Sequence, residues 1–264
     1  MKPIFRWAGS KRKLLPIIMN EMPDEFERYV EPFCGSACLF FELNNIDSAV
    51  LSDINPDLIN AYRQIRRSPI KIYEQCASIS RDKDTYYQVR SKANSTTKVA
   101  DRAVNFIYLN RNCFNGVYRT NQNGVFNVPF GSRTGSLPDV NRFKSSARKL
   151  KCVELFCKDF TEIIKLAKKG DFFYLDPPYS VRGKKSQGEY GPNSFCDENL
   201  GQLIDSLKLL NDKGVKFILS YKHDNNLIEN TSKFTKTIFL QVDRHVAGFA
   251  KHRNKADEIL IKNY

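Results

Sequence analysis

The chain has 264 residues, 41% of them hydrophobic, enough to bury a substantial core and too many for a disordered polymer. Its 42 Lys and Arg outnumber 29 Asp and Glu, and the formal charge of +13 points to a polyanionic partner, nucleic acid first and an anionic membrane surface second. Seven cysteines with no Cys-x-x-Cys pair suggest neither zinc nor a disulfide framework, and with neither an apolar leader nor a membrane-length apolar run the chain reads as soluble and cytoplasmic.

The predicted elements alternate. RYVEPF (28–33) reads as a strand, SACLFFEL (36–43) as a helix packed on it, SAVLSD (48–53) as a second strand, and Asn55 to Arg67 as a helix with Leu58, Ile59, Tyr62 and Ile65 on one stripe. After Ser68 helical periodicity dominates as far as Arg111, and YRTNQNGVFNV (118–128) then places Asn-Gly between β-formers, a hairpin signal. Alternation resumes with strand VELF (153–156), helix Phe160 to Ala167, strand FFYL (172–175), helix Asn199 to Leu210, strand KFILSY (216–221) and late strands TKTIFLQV (235–242) and DEILIKNY (257–264). Two blocks of a doubly wound α/β sheet, residues 1–67 and 150–264, therefore flank an inserted helical and hairpin module, 68–149. The strand order is not readable from this pattern.

Open α/β sheets bind ligands beyond the carboxyl ends of their strands, and three such ends carry acids: Glu31, Asp53 and Asp176. The loop EPFCGSAC turns through Gly35, and Asp53 follows 18 residues later, a spacing that suits a carboxylate on ribose hydroxyls. The G-x-G-x-x-G pattern is absent, so a pyrophosphate cofactor loses ground to an adenosine ligand without phosphates. S-adenosylmethionine is such a ligand, and carboxylates and aromatic faces stabilise its sulfonium. Taken alone, Gly35 and Asp53 also read as a turn glycine and a capping acid.

FFYLDPPYS (172–180) ends a strand with an acid, two prolines and an aromatic ring. Proline lacks an N–H and fixes φ, so the loop is stiff, and Asp176 and the carbonyl of Pro177 are two outward acceptors. An exocyclic base amine is a poor nucleophile because its lone pair is delocalised into the ring. Acceptors gripping its hydrogens favour a tetrahedral nitrogen with the pair aimed at a methyl donor. Tyr179 would stack on the base, which must leave its helix to be reached. The bland alternative is a strand-capping Asp before a polyproline turn.

FRWAGSK (Phe5 to Lys11), EPFCGS (Glu31 to Ser36), SDIN (Ser52 to Asn55) and DPPY (Asp176 to Tyr179) stand in one order, and with the insert between the last two the chain closely resembles the Dam-like DNA adenine methyltransferases over nearly its whole length. The resemblance implies a Rossmann-like S-adenosylmethionine-dependent fold and methyl transfer to the N6 amine of adenine in double-stranded DNA by base flipping, with GATC as target. It further implies that Trp7, Lys11, Glu31, Phe33, Gly35 and Asp53 hold the cofactor, and that Asp176 contacts both cofactor and amine. Ser10 and Ser36 depart from the family's small residues, and serine narrows the permitted φ range there.

NRNCFNGVYRTNQNGVFNVPFG (110–131) resembles the family's recognition segment. Carried over, Phe114 and Asn115 lie beside the vacated base position, Val117 touches base edges, Arg119 pairs with guanine and Arg133 holds phosphate. Between Arg111 and Lys149 seven basic residues stand against one acid, Asp139. Arg182, Lys184, Lys185, Arg244, Lys251 and Arg253 either line the DNA groove or solubilise loops. No metal and no obligate protein partner are implied, and the expected state is a monomer or weak dimer.

Three alternatives stay open: methylation of the cytosine N4 amine, an RNA acceptor, and a DNA-binding protein with a vestigial cofactor site. Methylation of cytosine carbon five is disfavoured, because no proline precedes a cysteine.

Overall fold

The computed structural model describes residues 2–121, 123–132, 135–179, 195, 197–243 and 255–264. Its strands are β1 (Arg28–Glu31), β2 (Ala49–Ser52), β3 (Val153–Phe156), β4 (Asp171–Leu175), β5 (Lys216–Lys222), β6 (Lys236–Asp243) and β7 (Lys255–Lys262). They form one seven-stranded sheet in the order β3-β2-β1-β4-β5-β7-β6. The first five are parallel, and β7 runs antiparallel between β5 and β6. The order reverses between β1 and β4, the position where doubly wound sheets open a ligand crevice. This is the expected Rossmann-like α/β architecture.

Period-two alternation divides the sheet into two buried faces. Tyr29, Ala49, Leu51, Phe172, Tyr174, Ile218 and Leu260 belong to one core. Their neighbours Val30, Val50, Phe173, Leu175, Phe217, Leu219, Ile259 and Ile261 belong to the other. The first face is covered by α1 (Leu15–Asn20), α2 (Cys38–Glu42) and α3 (Pro56–Arg67). Asn55 caps α3, its side chain accepting from the N–H groups of Asp57 and Leu58, and Pro56 opens the helix with φ already fixed. Leu58, Ile59, Tyr62 and Ile65 are all buried, as their spacing predicts.

Between β2 and β3 the chain continues from α3 through α4 (Pro69–Ala77), α5 (Lys83–Ala93), α6 (Val99–Asn112) and α7 (Val140–Lys149). Tyr86, Val89, Tyr108, Leu109, Cys113, Phe126 and Val128 form a small core of their own there. The Asn-Gly signal produces a turn closed by one antiparallel bridge, Thr120 to Phe126, with a second bridge from Cys113 to Phe130. No strand ladder forms in this segment among the described residues, because Asn121 turns its side chain onto the N–H groups of Asn123 and Val125 and competes with pairing. The second face is covered by α8 (Phe160–Lys165), α9 (Asp197–Asp212) and α10 (Asn225–Thr231).

Outside the insert two helices were not expected, and within it α7 follows the expected hairpin without having been expected itself. In α1 only Leu15 and Ile18 are buried, and in α10 only Leu227 and Thr231, stripes too thin to show as periodicity. The helix expected from Ser36 begins at Cys38, since Ala37 adopts a left-handed φ of 50°. No helix among the described residues is long and apolar enough to cross a membrane.

Candidate active site

The parity that places Tyr29, Leu51 and Tyr174 on the first face brings Glu31, Asp53 and Asp176, each two residues on, to that same side at the carboxyl edge. Glu31 is buried and accepts a 3.0 Å hydrogen bond from the Tyr29 hydroxyl. Burial pushes its carboxyl well above the usual range, opposed by Tyr29 and reinforced by Asp176 and Asp53. Asp53 accepts from Gly35 N–H at 3.0 Å and Asn55 N–H at 2.9 Å, yet burial still raises it to about 6. Each Asp53 oxygen thus takes one backbone bond and keeps a lone pair for a hydroxyl.

Gly35 is required by conformation and by space. Its φ is +45°, and a Cβ would stand 2.6 Å from Cδ1 of Trp7. Tyr62 fixes the loop from below, donating to the Gly35 carbonyl at 2.9 Å. The Trp7 indole also stacks with Tyr118 of the inserted segment, centroids 6.1 Å apart and planes inclined by 17°. Phe33 is partly buried and packs on Phe160 and Phe195 at the second core. Ser10 and Ser36 both keep φ negative, so neither serine meets the backbone restriction expected of it.

Lys11 sits at the centre of the site. Only 5% of its side chain is exposed. Its ammonium donates to the Tyr179 hydroxyl at 2.6 Å and lies 3.2 Å from Asp176 Oδ1 and 3.5 Å from Glu258 Oε2. Burial pulls the lysine pKa down, but Asp176, Tyr179 and Glu258 outweigh it and hold the group above its ordinary value. Burial raises Asp176 to about 6 against the pull of Lys11, and it likewise raises Tyr179 to about 12. The Tyr179 ring meets Tyr221 edge-on at 5.3 Å, and Pro177 is buried beside it. The arrangement grips a nitrogen that carries hydrogens and surrounds it with carboxylates suited to a cation.

Glu258 was missed by a rule that looks for acids after strands. Because β7 is antiparallel, its beginning lies at the edge where the parallel strands end, and Glu258 pairs with Lys222, the last residue of β5. The signal available in the sequence is the second of two acids, Asp257 and Glu258, opening the apolar run ILI. Asn110 was missed as well. It clips the Arg6 backbone, accepting from its N–H at 2.9 Å and donating to its carbonyl at 2.7 Å, so the ribbon from Phe5 to Lys11 runs from the inserted helices into the crevice.

At the recognition segment Phe114 is 48% exposed. Asn115 and Gly116 follow it with φ of 54° and 68°, and a Cβ on Gly116 would strike the Arg6 side chain. Val117 is half-buried, and its carbonyl accepts from the Cys113 thiol. Arg119 donates from Nε to the Asn127 side chain at 2.9 Å. Arg133 lies outside the described residues, as do Arg182, Lys184, Lys185, Arg244, Lys251 and Arg253.

The profile of a family described as D12 class N6 adenine-specific DNA methyltransferase matches residues 7–247. A type II methyltransferase of Lactococcus lactis subsp. cremoris, M1.LlaDCHI, is 33% identical over 100% of this chain and 96% of its own length. A DNA adenine methylase of Haemophilus influenzae is 30% identical over 98% of this chain and 92% of its own. A solved structure described as a SAM-dependent methyltransferase from Agrobacterium tumefaciens aligns with a TM-score of 0.39 at 9% identity, over 95% of this chain and 59% of that one.

Proposed function

The chain belongs to the D12 class of N6 adenine-specific DNA methyltransferases, and from that premise we propose that it methylates an adenine flipped out of duplex DNA, in GATC, on the acceptors around Asp176. The observation that carries this reading is the contact already made to Lys11: Asp176 Oδ1, just beyond the end of β4, faces an N–H donor at 3.2 Å, as it would face a base amine.

S-adenosylmethionine supplies the methyl group when bound. The donor set fits it: Asp53 retains lone pairs for ribose hydroxyls, Glu31 and Asp176 offer negative charge to a cation, and Gly35 leaves the loop flat against Trp7. Lys11 reaches the same space from the other end of its ribbon, and Phe33 supports the loop from the second core. Asp176 and the Pro177 carbonyl accept the two amine hydrogens, and Tyr179 stacks on the purine. The bound donor would give up its methyl group with the sulfur as leaving group, and Asp176 would carry away the surplus amine proton.

We read residues 68–149 as the target-recognition module. Phe114, exposed on a left-handed turn, suits an apolar wedge filling the place of the extruded base, with Asn115 beside it. Val117 faces base edges, Arg119 pairs with guanine and Arg133 holds phosphate. The reaction needs no metal, and a cytoplasmic monomer or weak dimer is sufficient for it. Cytosine N4 methylation shares the acceptor chemistry and remains the alternative. Mass separation of nucleosides from treated DNA decides between them: N6-methyladenine is expected, and N4-methylcytosine would sink the reading. Sequencing the modified positions in a genome expressing the chain then tests GATC.

A further inference from the structure

Glu258 is a buried acid beside the apolar run Ile259 to Ile261 of β7, and nothing in the reaction so far uses it. It shares the first face of the sheet with Leu260, while Ile259 and Ile261 point to the second core. Two buried hydroxyls, of Tyr174 and Ser220, belong to that same face on β4 and β5. Glu258 touches the site through Lys11, whose ammonium has three hydrogens and three neighbours: Tyr179 at 2.6 Å, Asp176 at 3.2 Å and Glu258 at 3.5 Å.

That geometry creates a conflict when substrate arrives. The amine of the flipped base needs Asp176 Oδ1, the atom that Lys11 now faces. A buried ammonium stripped of its counter-charge is far costlier than one hydrogen bond lost, so Lys11 will not surrender Asp176 unless a second anion is within reach. Glu258 is that anion, and no other carboxylate is paired with Lys11 among the described residues.

We propose that Glu258 is a positioning residue of the methyl transfer: it takes over the charge of Lys11 when the adenine amine claims Asp176, and so clears the acceptor site without expelling the lysine from the crevice. The same shift moves the ammonium away from the nitrogen as that nitrogen becomes cationic, which lowers the repulsion felt in the transition state. The inference rests on the assignment of Asp176 as acceptor of the amine.

The test is a double-mutant cycle on the full chain, with unmethylated plasmid DNA as acceptor and S-adenosylmethionine as donor. Glu258→Gln keeps the shape and removes the charge, leaving Asp176 as the one carboxylate paired with Lys11. A fall in kcat on the order of 100-fold is expected from such misplacement, with KM for DNA and calorimetric cofactor affinity near wild type. In a Lys11→Met background, which has no ammonium to clear, Glu258→Gln should have no further effect. Wild-type kcat in Glu258→Gln, or the same loss repeated in Lys11→Met, overturns the proposal. If the glutamine variant does not fold, Glu258→Asp sets the charge back by one methylene, and its kcat loss must likewise vanish in Lys11→Met. Asp176→Ala is run alongside. Normal turnover in that variant defeats the assignment of Asp176, whereas inert Asp176→Ala beside active Glu258→Gln defeats only the role of Glu258.

Discussion

Arg119 is oriented by Asn127, whose side-chain oxygen accepts the guanidinium Nε–H at 2.9 Å, a bond that does not use the two terminal nitrogens. A fork of that kind suits guanine O6 and N7. Arg119→Ala should therefore relax discrimination at one base pair by ~1–3 kcal/mol, measured as methylation rates over duplexes varied one position at a time. Asn127→Ala should relax the same position by less, because the guanidinium is loosened and not removed. Arg133→Ala should instead weaken all sequences alike and flatten the salt dependence. Equal, sequence-independent losses in all three would contradict the assignment of Arg119.

On the proposed assignment, Asp176→Ala removes an acceptor for the amine, and it adds no bulk. Methyl transfer should be lost, by a factor on the order of 1,000 or more, while duplex affinity in a gel-shift assay stays within a few-fold. Loss of DNA binding in parallel with turnover would mean that the carboxylate holds the fold or the duplex, not the reacting nitrogen.

Gly35→Ala places a methyl group against the Trp7 indole, on a backbone with φ of +45°. The left-handed conformation alone costs about 1–2 kcal/mol, and the 2.6 Å approach must be relieved by moving Trp7. A lowered Tm and weakened cofactor binding are expected together. An unshifted Tm with normal affinity would show that the ring moves freely.

Burial lifts Asp53 and Asp176 to about 6, so both hold a proton far more readily than exposed aspartates. The sign follows directly. As pH falls through about 6 the carboxylates neutralise, and on the proposed roles Asp53 loses acceptor strength for the ribose hydroxyls while Asp176 loses the charge it offers the cationic cofactor. Cofactor affinity by calorimetry, and kcat/KM, should both decline on the acid side of that value. Asp53→Asn should flatten the affinity profile as well as lower it. A wild-type affinity constant from about pH 5 to about pH 8 would rule out both losses.

Phe114 is 48% exposed, and little of the fold depends on its ring. Phe114→Ala should leave stability within about 0.5 kcal/mol, as surface changes generally do, yet lower kcat by reducing the fraction of target base held out of the stack. Unchanged kcat would remove it from base extrusion.

Much of this molecule is written in short-range pattern. Strands ending in Glu31, before Asp53 and before Asp176 are legible because a buried parallel strand is an apolar run closed by a turn, and their parity already aligns the three acids. Glu258 and the insertion of β7 are not legible, since antiparallel placement reverses which end of a strand meets the crevice, and register appears only after folding. Asn110 and Tyr118 belong to the same class: each acts on the ribbon of Arg6 and Trp7 across roughly a hundred residues of sequence, where no local spacing records the contact. The turn at Asn123 and Gly124 was legible as a turn but not as a mere single bridge, because the Asn121 side chain wins the backbone groups that pairing needed.

The ribbon from Phe5 to Lys11 passes Asn110, Tyr118, Gly35 and Asp176 in succession, so on the proposed assignment the segment that inspects a sequence and the crevice that modifies it share one tether. Engineering a new target will therefore disturb turnover even when every altered side chain lies far from the reacting nitrogen. Compensating changes belong in the tether itself, and a mutant library restricted to the inspecting loop would exclude them.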